Sequence, residues 1–361
     1  MRWCFYSYLI PLFMMLVGCT TTGFPELQTN NRVKLEGPLE GRFTAAMTAN
    51  LETGPLKLQT LDGNDAKADT AKVALIDIDG FLLNQNATGL FSQNENPVSL
   101  FHEKLLQAQK DPTIKAVVLR INSPGGSVSA TDMMWRELVA FRKTSQKPVV
   151  ACLMDVGCGG AYYLASAADV IYAHPGTMTG GLGVILNLYN LQDLMAQFNV
   201  VPQTIKAGQN IDMGTMQASL TSESRAMLQA IADEYHEQLK QVVRQGRPKA
   251  SLDAVFDGRV VSARQAQQLG MIDQVGYLDD ALVQAKTLAR SSRIPDRVNE
   301  IEVVMMRRPH DPARSPYATS PNAPITSLVP LSIPGIDRSK LPTFLYAWQP
   351  DPGLERLGGK Q

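Results

Sequence analysis

The stretch that most restricts what this chain can fold into runs from Lys147 to Ile185, KPVVACLMDVGCGGAYYLASAADVIYAHPGTMTGGLGVI. Val149 to Leu153 is apolar throughout, as a strand covered on both faces should be. A glycine-rich turn, Gly157 to Gly160, then feeds a run of small residues, Ala161 to Ala168, that reads as a helix. A strand turning sharply into a helix presents one side chain and several backbone N–H groups at the junction, a suitable place for a nucleophile and an oxyanion site. Glycine at the junction lets the backbone approach a ligand closely but supplies no reacting group.

The order of elements around this stretch points to an α/β domain with a mostly parallel sheet. VALIDIDGFL, beginning at Val73, reads as a buried strand, followed by a helix at Pro97 to Gln109 and a strand at Ala116 to Ile121. That strand ends in Asn122-Ser123-Pro124-Gly125-Gly126, read as a turn, and a helix from Ala130 to Thr144 leads to Val149. Beyond Ile185 the pattern predicts a helix near Leu191 to Phe198, a strand at Pro202 to Lys206 and a long helix from Ser222 to Arg244. Short helices follow at Ala263 to Leu269 and after Gly276. The chain divides into a leader at 1–19, a tether or extension at 20–71 with a hairpin in Arg32 to Leu61, a main domain at 72–290, and a tail at 291–361. The tail is rich in proline and serine, with apolar islands at Ile301 to Met306 and Leu341 to Trp348.

With 34 basic and 34 acidic residues the formal net charge is zero, so no global field recruits nucleic acid, and no nucleic-acid partner is expected. The leader has a short positive start at Arg2, an apolar segment from Tyr8 to Val17, and the sequence Leu16-Val17-Gly18-Cys19. This resembles a bacterial lipoprotein signal, which implies acylation of Cys19 and attachment to a membrane by several acyl chains. Thr20 after the cysteine does not resemble an inner-membrane retention aspartate. In a Gram-negative cell the implied address is the periplasmic face of the outer membrane. Cys152 and Cys158 remain in the mature chain, too local for an expected disulfide. Four histidines and two cysteines show no ligand spacing, so neither a metal nor another cofactor is expected.

Four groups of residues occur in one order: RINSPGG from Arg120; Asp155-Val156 with Tyr162-Tyr163 and Ala168-Asp169; Pro175-Gly176-Thr177 with Thr179-Gly180 and LGVI from Leu182; and DGRV from Asp257 with Arg264-Gln265-Ala266 and GYLDD from Gly276. Together they resemble the signal peptide peptidase A family of serine peptidases over roughly Lys72 to Ala289. The resemblance implies the ClpP/crotonase fold, a spiral of β-β-α units around a mostly parallel sheet. It also implies a serine–lysine dyad in which lysine takes the serine proton, serine attacks the peptide carbonyl and backbone amides hold the oxyanion.

Both dyad positions are substituted. The family's serine lies four residues after the Asp-Val pair, which here is Gly159, and the match continues ungapped through Tyr162, Tyr163 and Asp169. The family's lysine closes an Ile-Lys-Ser-Gly-x-x-Lys-Asp run, which here reads Ile205-Lys206-Ala207-Gly208-Gln209-Asn210-Ile211-Asp212 and puts Ile211 at the base. Glycine has no side chain to attack, and isoleucine cannot accept a proton. Cys158 is the fallback nucleophile, since a thiol at a helix start can have a lowered pKa. Yet one residue of shift turns a helical side chain by about 100°, and a small buried thiol behind the turn is the competing reading.

Gly125 and Gly126, with the amide of Gly160, are the candidate oxyanion nest, and the groove beside Ser123 is a candidate site for an extended peptide added as a strand. Ser127 and Ser129 read as caps of the next helix. The expected function is that of a pseudo-peptidase that binds extended peptides or assembles with itself or with an active relative. The alternative is a working endopeptidase on membrane-released peptides, through Cys158 or a base from a neighbouring subunit. Acyl-CoA chemistry on the same fold would need an adenine site and an acid or base near Gly125, and neither has a sequence sign.

Overall fold

The computed structural model describes residues 55–61, 66–67, 70–85, 96–291, 301–308 and 343–348. These fall within one compact unit. Cys19, the leader and most of the expected hairpin lie outside them. The strands among the described residues are β1 (Lys57–Thr60), β2 (Lys72–Leu82), β3 (Ile114–Ser127), β4 (Val149–Cys158), β5 (Val170–Ala173), β6 (Met178–Gly180), β7 (Val260–Ser262), β8 (Gln274–Val275), β9 (Glu302–Arg307) and β10 (Leu345–Ala347). The helices are α1 (Pro97–Lys110), α2 (Val128–Ser145), α3 (Gly160–Ala165), α4 (Gln192–Gln197), α5 (Ser222–Gly246), α6 (Ala263–Gln268) and α7 (Leu278–Ser291).

The fold is α/β with a mostly parallel sheet, ordered β1-β9-β2-β3-β4-β5-β8. β9, β2, β3, β4, β5 and β8 pair in parallel along this order. The continuous apolar runs arise because helices cover both faces. Residues 74, 76 and 78 of β2, 117, 119 and 121 of β3, and 149, 151 and 153 of β4 point to one face, against α1, α2, α3 and α5. Residues 73 and 75, 116 and 118, and 150 and 152 point to the other, against α7. Two faces read at period two from uninterrupted apolar sequence are the signature of a covered parallel sheet.

The apolar islands of the tail join the sheet. β9, from the first island, pairs in parallel with β2 and antiparallel with β1. β10, from the second, pairs antiparallel with the end of β3. Two local expectations are corrected. Residues 202–206 form no strand; they are exposed, and no neighbouring strand takes their backbone. Asn122 to Gly126 is strand rather than turn, because β2 and β10 both pair with it. The chain accommodates this with a register shift between Ile121 and Ser123 and a left-handed Gly125 at φ 112°. Ser127 caps α2 by accepting the Ala130 N–H at 3.3 Å.

β4 forks. Its first half pairs with β5, and its last residues, Val156 to Cys158, leave that neighbour and pair with β6. The Asn122 side chain accepts the Val156 N–H at 3.2 Å, and the Thr179 hydroxyl donates to the Gly157 carbonyl at 2.6 Å. Both bonds hold the diverging end of β4 where it runs into α3.

Asp77 on β2 carries two buried ion pairs inside this frame, one with Arg120 and one with Arg307 of β9 at 3.9 Å. Arg120 on β3 meets Asp77 on β2 at 2.6 Å, with both side chains almost wholly buried. Burial pushes the Asp77 carboxyl above its usual range, while Lys104, Arg120 and Arg307 pull it back towards ionisation. Removing Arg120 takes away the nearest partner of the buried Asp77 carboxylate and leaves it compensated only in part, by Arg307 and Lys104. Arg120→Met is therefore expected to cost about 3–5 kcal/mol of stability, read as a lowered midpoint in urea unfolding, whereas an unchanged midpoint would show that Asp77 is neutral in the fold.

Candidate active site and peptide groove

The junction anticipated from the sequence is Gly159. It sits between β4 and α3 at φ 52°, ψ −120°, donates its N–H to the Gly180 carbonyl at 2.8 Å and accepts the Tyr163 N–H at 3.0 Å. A residue in such a strained strand-to-helix turn is lifted above the sheet edge, the arrangement that in other folds presents a nucleophile. Here the presenting geometry is intact and carries no side chain.

Cys158, one residue earlier, points the other way. Its side chain is wholly buried, its thiol donates to the Met178 carbonyl at 3.5 Å, and burial pushes its pKa up to about 12. Loss of hydration, which penalises the thiolate, decides the direction. The structure thus places Cys158 behind the turn as a neutral, packed thiol. Cys152 is likewise free and buried, with its pKa raised to about 12.

Ile211 lies in a turn spanning 209–214 with 74% of its surface exposed. Lys206, five positions earlier, is engaged with Asp212 at 2.7 Å. Among the described histidines, His102 pairs with Glu137 at 2.9 Å, His174 accepts the Gly176 N–H at 3.1 Å, and His236 meets the Leu182 carbonyl at 3.2 Å. Each has an ordinary structural partner. Among the described residues, no group of three or more His, Cys, Asp or Glu side chains could hold a metal ion.

The candidate nest residues do converge. Gly125 and Gly160 approach closely: a Cβ built on Gly125 would stand 2.8 Å from the Gly160 nitrogen. Ser123 is wholly buried, and its hydroxyl accepts the Gly125 N–H at 3.1 Å, so it shapes the strand bend rather than facing the groove. A Cβ on Gly126 would overlap the Leu82 carbonyl, so that glycine is required by the packing of β3 on β2. A second concavity, about 280 Å³ and lined by Asp77, Asp79, Arg120, Asn122, Met154 and Asp155, opens on the ends of β2, β3 and β4.

The sequence reading left open what fills the groove. Tyr346 of β10 lies there, wholly buried. Its ring stacks on Tyr163 at 5.5 Å between centroids, and its hydroxyl donates to the Tyr235 carbonyl at 2.6 Å. Tyr163 in turn donates to Asp132 at 2.7 Å, which fixes the wall of the pocket. The advance signal was the apolar island Leu341 to Trp348, too short to reveal its partner.

Comparison with known proteins agrees with this reading of the motifs. Peptidase family S49 matches residues 141–292. A protein of Methanocaldococcus jannaschii with a provisional protease name is 32% identical over 224 residues, 62% of this chain and 71% of that one. The provisionally named signal peptide peptidase SppA of Enterococcus faecium is 28% identical over 217 residues, and the match spans 60% of this chain and 63% of that relative. A solved variant of the 1510-N membrane-bound stomatin-specific protease superposes with a TM-score of 0.40 at 14% identity, covering 65% of this chain and 97% of that one. By its motifs, the family match and its sequence relatives, the chain belongs to peptidase family S49, among the proteins like signal peptide peptidase A.

Proposed function

We propose that this family member is a non-proteolytic peptide-binding protein. One observation carries the reading: the turn that would present the nucleophile keeps its strained geometry at Gly159 while offering no reacting atom. The neighbouring thiol does not replace it. Burial pushes its pKa up to about 12, so the Cys158 thiol stays protonated at pH 8. Ile211 supplies no base. What remains is a groove whose strand edge, Gly125 to Ser127, pairs with an added antiparallel strand. Main-chain pairing of this kind gives affinity for extended peptides, and side-chain pockets give selectivity.

The proposal includes an extracytoplasmic membrane address through Cys19. The acyl chains implied by the leader would provide the attachment, and among the described residues no helix is long and apolar enough to cross a membrane. A second element of the reading, self-assembly, is favoured by the segment between β6 and α5. It exposes Leu194, Phe198, Val200, Val201, Ile205 and Ile211, each at least half exposed. Exposed apolar surface concentrated in one segment marks an interaction site. A formal net charge of zero places no overall repulsion between copies of the chain.

Incubated with a panel of unfolded and signal-like peptides, the protein is expected to release no fragments, and Cys158→Ala is expected to change nothing. Hydrolysis abolished by Cys158→Ala would overturn the proposal in favour of a thiol enzyme. Alkylation at pH 8, read by peptide mapping, is expected to leave Cys152 and Cys158 unmodified until the chain is unfolded. Light scattering is expected to give a defined assembly that Phe198→Glu with Val201→Glu dissociates; a monomer at micromolar concentration would remove the assembly element.

A further inference from the structure

The segment lying in the groove is bound as a peptide would be. On one side, Val128 donates to the Phe344 carbonyl at 3.2 Å, Tyr346 and Ala347 pair with Gly126 and Gly125, and Trp348 donates to the Pro124 carbonyl at 3.0 Å. On the other side, Leu345 and Ile185 exchange both backbone hydrogen bonds, at 2.9 and 3.0 Å. The chain is thus clamped between two extended edges.

Its register on the vacant nucleophile position is specific. A Cβ on Gly159 would overlap the Tyr346 carbonyl oxygen, stand 2.8 Å from the carbonyl carbon and 3.0 Å from the Ala347 Cα. The Tyr346–Ala347 peptide bond therefore crosses the point where a serine would attack. The same carbonyl oxygen contacts the Cβ position of Gly125, beside the Gly160 nitrogen. Tyr346 fills the aromatic pocket, and Ala347, 9% exposed, leaves little room for a larger side chain.

We propose that residues 344–348 are the resident ligand of the groove, and that an outside peptide, extended and carrying an aromatic residue followed by a small one, binds only by displacing them. The inference rests on the peptide-binding reading above and adds the ligand class and its competitor. Gly159 takes on a positive role, because any side chain there meets the Tyr346 carbonyl. Covalent connection gives the segment an effective concentration that free peptides must exceed. The apparent affinity of the groove for an outside peptide is then reduced by the fraction of time the segment is away.

The test uses the full chain and a fluorescein-labelled synthetic peptide with the sequence of residues 342–349, PTFLYAWQ, read by anisotropy. Tyr346→Ala removes the ring from the pocket and is expected to tighten probe binding by about tenfold or more, since a buried aromatic anchor carries a large share of such binding. Tyr346→Phe keeps the ring and loses only the bond to Tyr235, so a tightening of about two- to tenfold is expected. The milder variant carries the test if Tyr346→Ala fails to fold. A probe with its tyrosine replaced by alanine should compete poorly. Equal probe affinity for the native chain and both variants would overturn the resident-ligand inference while leaving peptide binding intact. Failure of every chain to bind the probe or a mixed panel of extended peptides would overturn the peptide-binding reading, and this inference with it.

Discussion

The structure depends on β3 having a backbone partner along its whole length. In its first half β3 lies between β2 and β4, and its N–H and C=O groups are spent in two parallel ladders. Past the fork β4 turns away, and the last residues of β3 would present an unpaired edge beside a buried aromatic pocket. Buried backbone polar groups without partners are costly. β10 supplies those partners, so one strand carries the chain from the interior of the sheet to the groove without an orphaned edge. The glycines at 125, 126 and 159 follow from this constraint, since each lies where backbone packs directly on backbone.

The parts of the fold with local causes were legible in the sequence. Uninterrupted apolar runs at β2, β3 and β4 reported a sheet covered on both faces, and the helix between each pair set the parallel order. The helices beginning at Pro97 and Ser222 were also legible, and in the structure the Asn96 and Thr221 side chains cap them by accepting first-turn N–H bonds. What was not legible had non-local causes. The residues around Ser123 read as a turn because Asn, Ser, Pro and Gly favour turns; pairing with β2 and β10 overrode that local preference. The expected strand at 202–206 carries β-branched and apolar residues but has no sheet edge to join.

The site divides in the same way. Gly159 and Ile211 were found by counting along motifs, because a motif fixes position even where the residue type has changed. The orientation of Cys158 was settled only by the fork of β4, which turns the thiol towards β6 and away from the groove. The pocket formed by Tyr163, Tyr235 and Asp132 gathers residues from three helices, α2, α3 and α5, and it becomes visible only with Tyr346 in place.

The Gly159 turn also bears on the history of the chain. A glycine codon can become a serine codon by a single base change, so restoring the family's nucleophile is mutationally easy. The occupied groove makes it sterically hard, because the new Cβ would meet the Tyr346 carbonyl before any chemistry could occur. Reversion would need a second change that first dislodges the strand, and a third to replace Ile211. If a nucleophile once stood at position 159, its return would first require β10 to move, so the seating of that strand would act as a ratchet.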